Sequence, residues 1–435
     1  MKYYILICLF AIMCGGCKKN EFTLPAEGKQ IPFEDTLTVS LTDALKQSGA
    51  HRFYKAWQRS HMQHLLDSLS AGKNMFTILA LSDAALDQKG YTEQVLMTMD
   101  IPELDSLLMY YTLHQRITKE DLTNRQDDYT AISLLNKPGI RAARFLNGIP
   151  GTFDADPYYY RQRLQVKNGR TIVNGKVAGS GLSITARDGY IWLLDQMIVK
   201  PEKTVLETIE MDGRFTMMLE IIREAWKLND SIYNAAWGAP PNENPTNADF
   251  YLSYGWMITP DEEFGTNTGP NITFSTFFLP TDDAFRAAGF NSVADLMAFN
   301  RRRGLPYFDW NTYTMAGSIA TSQMLDYHLN WGLVVNNVYP IYLNSTIVFY
   351  SNMLTSSTVA NYPIMPKLGD PNGSEPDGAY YMPYVFREDA AGKIQLHVKN
   401  GEAPAATIID ADINTLMGPI HVVDRLLLPK GFKID

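Results

Sequence analysis

The chain opens with an uncharged apolar stretch, Tyr3–Met13, behind Met1 and Lys2. This stretch is too short to cross a bilayer as a helix, which takes about 20 residues. It suits the apolar region of a secretory signal, and the small residues Gly15 and Gly16 follow where a signal peptidase would cut. No later stretch approaches about 20 apolar residues. The pattern predicts an exported chain, with an N-terminal membrane helix as the alternative.

Further along, hydrophobic patterns occur in pairs that keep the same order in both halves of the chain. TILALSDAAL from Thr77 and TFFLPTDDAF from Thr276 both predict a strand that runs into a helix, with Ser82 or Thr281 as its N-cap. The acid after each cap suits the positive end of the helix dipole. This first pair is separated by 199 residues.

Two more pairs follow. LLMYYTLHQRI from Leu107 and QMLDYHLNWGL from Gln323 predict an amphipathic helix that runs into a strand. DGYIWLLDQMIVKP from Asp188 and MGPIHVVDRLLLPK from Met417 predict a glycine turn and then a strand. Their separations are larger, and the third reaches 229 residues. The sequence therefore predicts a duplicated unit whose second copy carries inserted loops.

The cysteine directly after the glycine pair resembles the lipobox of bacterial lipoproteins, although Cys14 stands where that motif usually has Leu. The resemblance implies that residues 1–16 are a signal peptide, removed together with Cys8 and Cys14. Cys17 would then carry diacylglycerol and fatty acyl chains such as palmitate. Residues 17–37 would be the lipidated cysteine and a polar tether. The mature chain would contain no disulfide.

The composition fits a protein that relies on an ordinary buried core, since 46% of its residues are hydrophobic. The 47 acidic and 38 basic residues give a net charge of −9. This balance argues against nucleic-acid binding, which takes a basic surface. The one basic run, Arg301–Arg303, is expected at a solvated helix end.

The paired segments resemble the signatures of the fasciclin domain, which has a T-V-F-A-P-T-D-E-A-F stretch, a Tyr-His pair and a G-x-I-H-V-I-D-x-V-L-L-P strand. The matching residues of the second copy are Thr276, Pro280, Thr281, Asp282, Tyr327, His328, His421 and Asp424. The first copy is divergent: Leu81, Thr112 and Trp192 replace Pro, His and His, while Asp195 keeps the acid.

The resemblance implies an α+β fold of two fasciclin-like domains, each a wedge-shaped β-sandwich with packed helices. The domains would cover residues 38–201 and 204–430, with insertions in the second around 229–272 and 336–400. The family is extracellular, mainly adhesive and not generally enzymatic. In animal members the Tyr-His region is linked to integrin adhesion, which is not carried over because the chain has no Arg-Gly-Asp.

We expect the motif residues to be structural first. A histidine such as His328 or His421, flanked by aliphatic residues, is more often a hydrogen-bonded core residue than a ligand. Asp195 and Asp424 are expected to accept backbone N–H groups and to hold the closing strand.

The sequence gives little sign of catalytic chemistry. It contains no nucleophile elbow, zinc-protease helix, P-loop or dinucleotide-binding glycine pattern. We therefore expect no enzyme and no cofactor. The segment GDPNGSEPDG, Gly369–Gly378, begins like a calcium loop but lacks the required glycine and final acid, so a solvated turn is expected.

His61 and His64 are a second weak metal pattern, because only His51 is near enough in sequence to be the third ligand that zinc needs. The pattern is more typical of the polar side of one helix over FYKAWQRSHMQHLLDSL. The buried stripe of this helix would be Phe53, Trp57, Leu65 and Leu69. No metal site is expected.

Aromatic residues concentrate in the inserted segments, where a disordered linker would have few. The candidates for ligand or partner binding are Trp237, Tyr251, Tyr254 and Trp256, and in the first copy Tyr158, Tyr159 and Tyr160. Rings beside amides and carboxylates suit carbohydrates, whose apolar faces stack while their hydroxyls are hydrogen bonded. The same composition suits protein interfaces. The alternative is a satellite core that holds the long loops.

Two functions remain open. One is a non-enzymatic cell-surface lipoprotein that acts in adhesion or protein scaffolding. The other is a glycan-binding accessory lipoprotein of an outer-membrane polysaccharide-uptake system. The tether start KKNEF resembles those of exported lipoproteins in Bacteroidetes-like Gram-negative bacteria. We expect a lipid anchor in the outer membrane, at the cell surface or on the periplasmic face, and a protein or polysaccharide partner.

Overall fold

The computed structural model describes residues 38–70, 76–123, 125–145, 153–241, 271–329, 347–354, 359, 363–365 and 380–434. Helices and β-sheets occur in both halves of this part of the chain. The predicted α+β class is therefore confirmed.

The first half alternates short helices with a long sheet. Its helices are α1 (Leu41–Gln47), α2 (His51–Arg59), α3 (Met62–Ser70), α4 (Asp83–Asp87), α5 (Glu93–Thr98), α6 (Ile101–Tyr110) and α7 (Lys119–Thr123). Its strands are β1 (Phe76–Leu81), β2 (Thr112–Leu113), β3 (Tyr129–Phe145), β4 (Phe153–Lys167), β5 (Arg170–Val173), β6 (Lys176–Gly179), β7 (Ser183–Ala186) and β8 (Gly189–Leu194).

Within the described ranges, the second half has fewer helices than the first, and they are longer on average. They are α8 (Val205–Glu210), α9 (Thr216–Ala236), α10 (Asp282–Ala287), α11 (Val293–Arg303) and α12 (Ala320–Leu329), with 3-10 turns at Gly213–Phe215 and Ser351–Met353. The strands are β9 (Asn271–Ile272), β10 (Phe277–Pro280), β11 (Tyr307–Asp309), β12 (Thr314–Ala316), β13 (Pro363–Met365), β14 (Tyr380–Tyr381), β15 (Tyr384–Glu388), β16 (Ile394–Val398), β17 (Ala406–Thr415) and β18 (Gly418–Val423).

Two sheets carry the core of the described residues. In the first, the strands lie in the order β6-β5-β4-β3-β2-β1-β8-β7, and β9 pairs with β3. In the second, the order is β10-β18-β17-β16-β15. The pairs β11-β12 and β13-β14 form separate two-stranded sheets.

The sequence repeat reappears as a repeated strand pairing. Strand β1 pairs in parallel with β8, and Ile78 lies opposite Ile191. Strand β10 pairs in parallel with β18, and Phe277 lies opposite Ile420. Ile78 corresponds to Phe277 in the sequence repeat, and Ile191 corresponds to Ile420. Both copies therefore pair their first and last strands in the same register. The first and third pairs of segments are thus confirmed as structural counterparts.

A glycine begins the closing strand in both copies because the neighbouring backbone leaves no room for a side chain. A Cβ atom on Gly189 would lie 2.5 Å from the carbonyl oxygen of Phe76. A Cβ atom on Gly418 would lie 2.1 Å from that of Ser275, and Gly418 also has a φ of +126°. Phe76 and Ser275 are again counterparts in the repeat, so the duplicated glycine turn has a steric cause.

The predicted single helix from Phe53 to Leu69 is wrong, because the chain breaks at Ser60. Ser60 is extended, and its hydroxyl donates to the carbonyl of Trp57 (2.7 Å) and accepts from the N–H of Met62 (3.2 Å). Phe53 and Trp57 are buried as expected, but the break turns α3 so that Met62 faces the core and Leu69 is exposed.

The first residues of the expected insertion at 229–272 are helical. Asn229–Ala236 continue helix α9, whose length is 21 residues. An apolar stripe on its first half, with Met218, Ile221 and Ile222 buried, holds the helix against the core.

Residues Val39–Asp435 form one compact unit in which side chains join the two halves. The Tyr158 hydroxyl on β4 donates to the carbonyl of Leu416, before β18, at 2.9 Å. The Asn352 amide donates to Asp128 Oδ1 at 2.7 Å and to Gln165 at 3.1 Å. Each bond links residues that are more than 180 positions apart in the chain.

The contact between Asp128 and Asn352 is buried and incompletely satisfied. Asp128 Oδ2 and Asn352 Oδ1 are buried acceptors without a hydrogen-bond donor among the described residues. Burial raises the pKa of Asp128 to about 6, a shift that the hydrogen bond from Asn352 opposes only in part. The carboxyl group is therefore held where its charged form is disfavoured.

Candidate functional site

The fasciclin-like motif begins at a strand end. Pro280 ends β10, and the Thr281 hydroxyl caps α10 by accepting the N–H of Ala284 (3.2 Å). Asp282 Oδ1 accepts the N–H of Met217 at the start of α9 (2.8 Å). The carboxylate of Asp282 therefore accepts an otherwise unpaired N–H at the start of α9. It also interacts favourably with the dipole of its own helix, α10.

Thr276 and its counterpart Thr77 hold a neighbouring chain segment in the same way. Thr276 accepts the N–H of Phe349 at 2.7 Å, and Thr77 accepts the N–H of Ile117 at 2.8 Å. Each hydroxyl also donates to the carbonyl two residues earlier in that segment, at 2.7 Å. A threonine at this position thus ties a crossing segment to the first strand in both copies.

His421 is buried and hydrogen bonded at both ring nitrogens. Nε2 donates to the carbonyl of Phe349 (2.9 Å), and Nδ1 accepts the N–H of Asp412 (3.4 Å). Burial lowers the pKa of His421, and the nearby carboxylate of Asp412 opposes this. In the first copy, the indole N–H of Trp192 donates to the carbonyl of Ile117 at 3.0 Å, so the same bond is made without an imidazole.

His328 is likewise enclosed. Nδ1 donates to the carbonyl of Phe278 (2.5 Å), Nε2 accepts the N–H of Leu427 (2.9 Å), and burial lowers the pKa of His328 to about 4. In the first copy, Ile198 is the counterpart of Leu427, and its N–H donates to the hydroxyl of Tyr111 at 2.9 Å. Tyr111 therefore makes this bond in the first copy, in place of the adjacent Thr112 that the sequence pairs with His328.

The remaining motif residues are also placed in the fold. Asp424 Oδ1 accepts the N–H of Thr407 at 2.7 Å, which holds β17 to the closing strand. Asp195 is exposed. Its backbone N–H donates to the carbonyl of Ala178 in β6 at 2.7 Å, and this bond links the end of the closing strand to β6. Tyr327 is half-buried, and its carbonyl accepts the hydroxyl of Tyr384.

The three tyrosines proposed as ligand contacts divide between two faces of β4. Tyr158 and Tyr160 are buried, because successive side chains of a strand point to opposite faces and these two share the inner one. Their rings meet edge to face at 5.4 Å, and Tyr160 meets Tyr110 at 5.5 Å. Tyr159 faces outward against His114 at 5.8 Å. Tyr158 and Tyr160 are thus enclosed by protein and offer no open ring to a ligand.

Trp237 lies in a different environment, in a cluster that we call the aromatic surface. The aromatic surface consists of Tyr233, Trp237, Phe308, Trp310 and Tyr313, and its ring centroids are 4.9 to 6.5 Å apart. Phe308 is buried beneath the others. The four outer rings keep 45%, 50%, 52% and 66% of their area exposed, in the order Tyr233, Trp237, Trp310, Tyr313. Contiguous groups of exposed rings are typical of binding surfaces, so this cluster is the candidate site.

Two elements build this surface. Tyr233 and Trp237 stand four residues apart at the end of α9, on one side of the helix. Trp310 and Tyr313 lie in the turn of the β11-β12 hairpin, where Asp309 Oδ1 accepts the N–H of Asn311 at 2.8 Å. The rings therefore rest on a helix and a hydrogen-bonded hairpin.

Sequence reasoning missed most of this surface. Of its five residues the sequence pattern singles out only Trp237. Phe308, Trp310 and Tyr313 lie outside the expected insertions, and Tyr233 lies within 229–272 without standing out there. A signal was present in the stretch LPYFDWNTYT, where four aromatic residues alternate with turn-forming ones. Its long-range contact with α9 could not be found from the sequence.

Several candidate residues lie outside the described part of the chain. They are Cys17, Tyr251, Tyr254, Trp256 and the calcium-like segment Gly369–Gly378.

Metal-binding geometry is absent from the described residues, where no group of three or more His, Cys, Asp or Glu side chains converges. Of the histidines considered for zinc, His61 is exposed, and its Nδ1 pairs with Asp105 at 2.8 Å. None of the helices within the described ranges combines the length and apolarity needed to cross a membrane.

Comparison with known proteins gives no family model and no curated protein that matches. Among 12 matching chains of solved structures is a FAS1 domain pair from the insect cell adhesion molecule fasciclin I. It is 15% identical, the match covers 88% of this chain and 98% of that chain, and the TM-score is 0.27. The α+β architecture is seen in the strands and helices of this chain itself.

Proposed function

We propose that this protein is a non-enzymatic lipoprotein of the outer-membrane surface, anchored through Cys17, that acts in adhesion or scaffolding. Its two fasciclin-like domains, residues 38–201 and 204–430, would present the aromatic surface as the contact site. The sequence resemblance to fasciclin domains and to a lipobox supports this proposal.

The exposed rings of the aromatic surface are the observation that carries the proposal. Tyrosine and tryptophan are enriched at binding hot spots because they bury a large area and lose little side-chain entropy. The buried motif residues also favour a structural, non-enzymatic role for themselves, since their polar atoms are hydrogen bonded to backbone groups. His328 and His421 use both ring nitrogens in this way.

A glycan-binding accessory lipoprotein of a polysaccharide-uptake system is the second candidate. It is favoured by the exposed polar residues Asn311, Thr312 and Thr314, which lie in the same hairpin as Trp310 and Tyr313. Hydroxyl and amide groups beside exposed rings suit the two faces of a sugar.

An adherence assay tests the contact surface. Cells that display the full-length chain would be applied to layers of mucin and of extracellular-matrix protein, and retention would be compared with cells that display Trp237→Ala/Trp310→Ala. We expect at least a tenfold loss of retention, because two anchor rings are removed.

Tyr307→Ala is the matched control. Its ring is 62% exposed on the same hairpin, but its neighbour Phe308 is the residue that faces the cluster. Equal surface amounts of each variant would be verified with an antibody. Retention of the double variant at the level of the control would refute the aromatic surface as the contact site.

A further inference from the structure

A cleft with three basic side chains lies beside the end of β4, where α7 packs against that strand. We call it the basic cleft, after Lys119, Arg125 and Lys167 in its lining. Its volume is about 610 Å³, within the range of small-ligand sites, which run from about 300 to 1,000 Å³. The whole chain has a net charge of −9, so this group of cations runs against its overall charge. The basic cleft is therefore suited to an anionic ligand.

Both halves of the chain contribute to the basic cleft. Lys119 begins α7, Arg125 follows that helix, and Lys167 ends β4. Asn352, from the second half, also lines the cleft, and its amide donates to Asp128 Oδ1 in the first half at 2.7 Å. This bond holds the wall formed by Asn352 against the first half.

Arg125 is held in place by two neighbours. Its Nη2 donates to Asp127 Oδ2 at 3.0 Å, and its Cζ lies 5.5 Å from the centre of the Tyr129 ring. A guanidinium has five N–H donors in a planar fork, and the bond to Asp127 takes one of them. Such a fork matches the paired oxygens of a phosphate or carboxylate group. Arg125 can therefore bind an anion while it keeps both neighbours.

The two lysines are exposed, and among the described residues neither ammonium has a hydrogen-bond or ion-pair partner. Two acids of this region are engaged by the fold. Asp121 Oδ2 accepts the N–H of Thr118 at 2.8 Å and its hydroxyl at 2.9 Å. Asp128 is buried and bonded to an amide. Lys119 and Lys167 therefore keep their charges available to a ligand.

Neutral donors complete the lining of the basic cleft. The amides of Gln126 and Asn168 line it and are exposed, so their NH2 groups can donate to ligand oxygens that the cations leave unpaired. A phosphate monoester presents three acceptor oxygens and a charge of about −1.5 to −2 at neutral pH. A carboxylate presents two oxygens and a single charge. Three cations and two amides therefore match a phosphate better than a carboxylate.

From these groups we infer that the basic cleft binds a phosphate group, carried by a soluble phosphorylated compound or by a phospholipid headgroup. Arg125 takes two phosphate oxygens through its fork, and Lys119 and Lys167 neutralise the charge. The volume of about 610 Å³ leaves room for the part of the ligand that carries the phosphate. The basic cleft shares no residue with the aromatic surface, so the inference goes beyond the proposed function.

Isothermal titration of the full-length protein in a non-ionic detergent, at constant ionic strength, tests the inference. The probes are inorganic pyrophosphate and glucose 6-phosphate, with glucose and acetate as comparisons. We expect saturable binding of both phosphate probes, and binding of acetate that is weaker by roughly tenfold or more. Lys119→Ala/Lys167→Ala and Arg125→Ala should each weaken phosphate binding by roughly tenfold, because charge-assisted hydrogen bonds are lost.

Lys176→Ala is the matched control. Lys176 is exposed at the start of β6, and the four residues of β5 separate that end of the sheet from the turn beside Lys167, a span of about 13 Å. The control removes the same charge away from the cleft, so phosphate affinity should change by less than about twofold. Circular dichroism would show that each variant is folded, and Arg125→Ala remains informative if the double lysine variant unfolds.

Vesicle flotation identifies the source of the phosphate. The full-length chain with Cys17→Ser, which cannot be lipidated at that position, would be mixed with phosphatidylcholine vesicles that do or do not contain phosphatidic acid. Flotation that requires phosphatidic acid and is lost in Lys119→Ala/Lys167→Ala assigns the phosphate to a lipid headgroup. Binding of the soluble probes without such flotation assigns it to a soluble compound.

Two results would overturn the inference. One is the absence of saturable binding of the phosphate probes together with the absence of flotation that depends on phosphatidic acid. The other is phosphate binding that acetate matches in affinity, or that the cleft variants weaken no more than Lys176→Ala does. Both results leave the proposed function untouched, because the adherence assay depends on Trp237 and Trp310.

Discussion

Replacing Asp128 with Asn should stabilise the protein at neutral pH. Its carboxyl group is buried between the two halves, with one oxygen bonded to Asn352 and the other without a donor among the described residues. The folded protein raises its pKa from 3.8 to about 6. At 1.36 kcal/mol for each pKa unit, keeping the group charged in the fold costs about 3 kcal/mol at pH 7.

The sign and the pH window follow from this shift. Below about pH 4 the carboxyl is protonated in both the folded and unfolded states, so the cost is absent. As the pH rises from about 4 to about 6, the unfolded state loses its proton first and the folded state is destabilised. Asp128→Asn removes this cost and leaves an amide donor near the unpartnered oxygen of Asn352. We expect a gain that approaches about 3 kcal/mol at pH 7 and falls to about 0.6 kcal/mol at pH 4.

Urea unfolding at five pH values from 4 to 8, followed by tryptophan fluorescence, would measure the gain. Trp57 and Trp192 are fully buried and report the transition. His328, whose pKa is lowered to about 4, also changes the free energy of unfolding over this pH range, but with the opposite sign. The effect of Asp128 is therefore isolated only by the difference in unfolding free energy between variant and wild type. The reasoning is refuted if Asp128→Asn is less stable than wild type at pH 7, or if the difference is the same at pH 4 and 7. Asp127→Asn, at an exposed neighbour, should change stability by less than about 0.5 kcal/mol.

Three further outcomes are expected. Gly418→Ala should lower the melting temperature by about 4 °C, as a roughly 3 kcal/mol backbone clash would in a cooperative unit of about 400 residues. Gly213→Ala, where a Cβ has open space, should not lower it. Tyr158→Phe should cost about 1 kcal/mol in urea unfolding, because it removes the bond to Leu416 and leaves a buried carbonyl unpaired; an unchanged midpoint would contradict this. Cys17→Ser should eliminate incorporation of a clickable palmitate analogue and release the chain from membranes, and persistent labelling would exclude the lipid anchor.

Much of the fold could be predicted because its signals are local. The N-caps Ser82 and Thr281 and the glycine before each closing strand depend on neighbouring residues, and the repeat made each of them visible twice. The break at Ser60 was missed, since the apolar spacing on both sides still fits one helix.

The candidate site was harder to predict, because its parts are distant in sequence. Trp237 and Trp310 are brought together by the packing of a hairpin on a helix, a contact that no local pattern encodes. Tyr158 and Tyr160 were misjudged for the related reason that composition does not reveal which face of a strand is inner.

The first copy has Trp192 at the position of His421 in the second. The two copies are therefore expected to respond differently to acid. In the second half, protonation of His328 or His421 would turn an accepting nitrogen into a donor that faces a backbone N–H. In the first half, the indole of Trp192 and the hydroxyl of Tyr111 do not gain a proton in this range. We therefore expect acid to weaken these two contacts in the second half, while the corresponding contacts of Trp192 and Tyr111 in the first half persist. Hydrogen exchange at about pH 4 should show this difference directly.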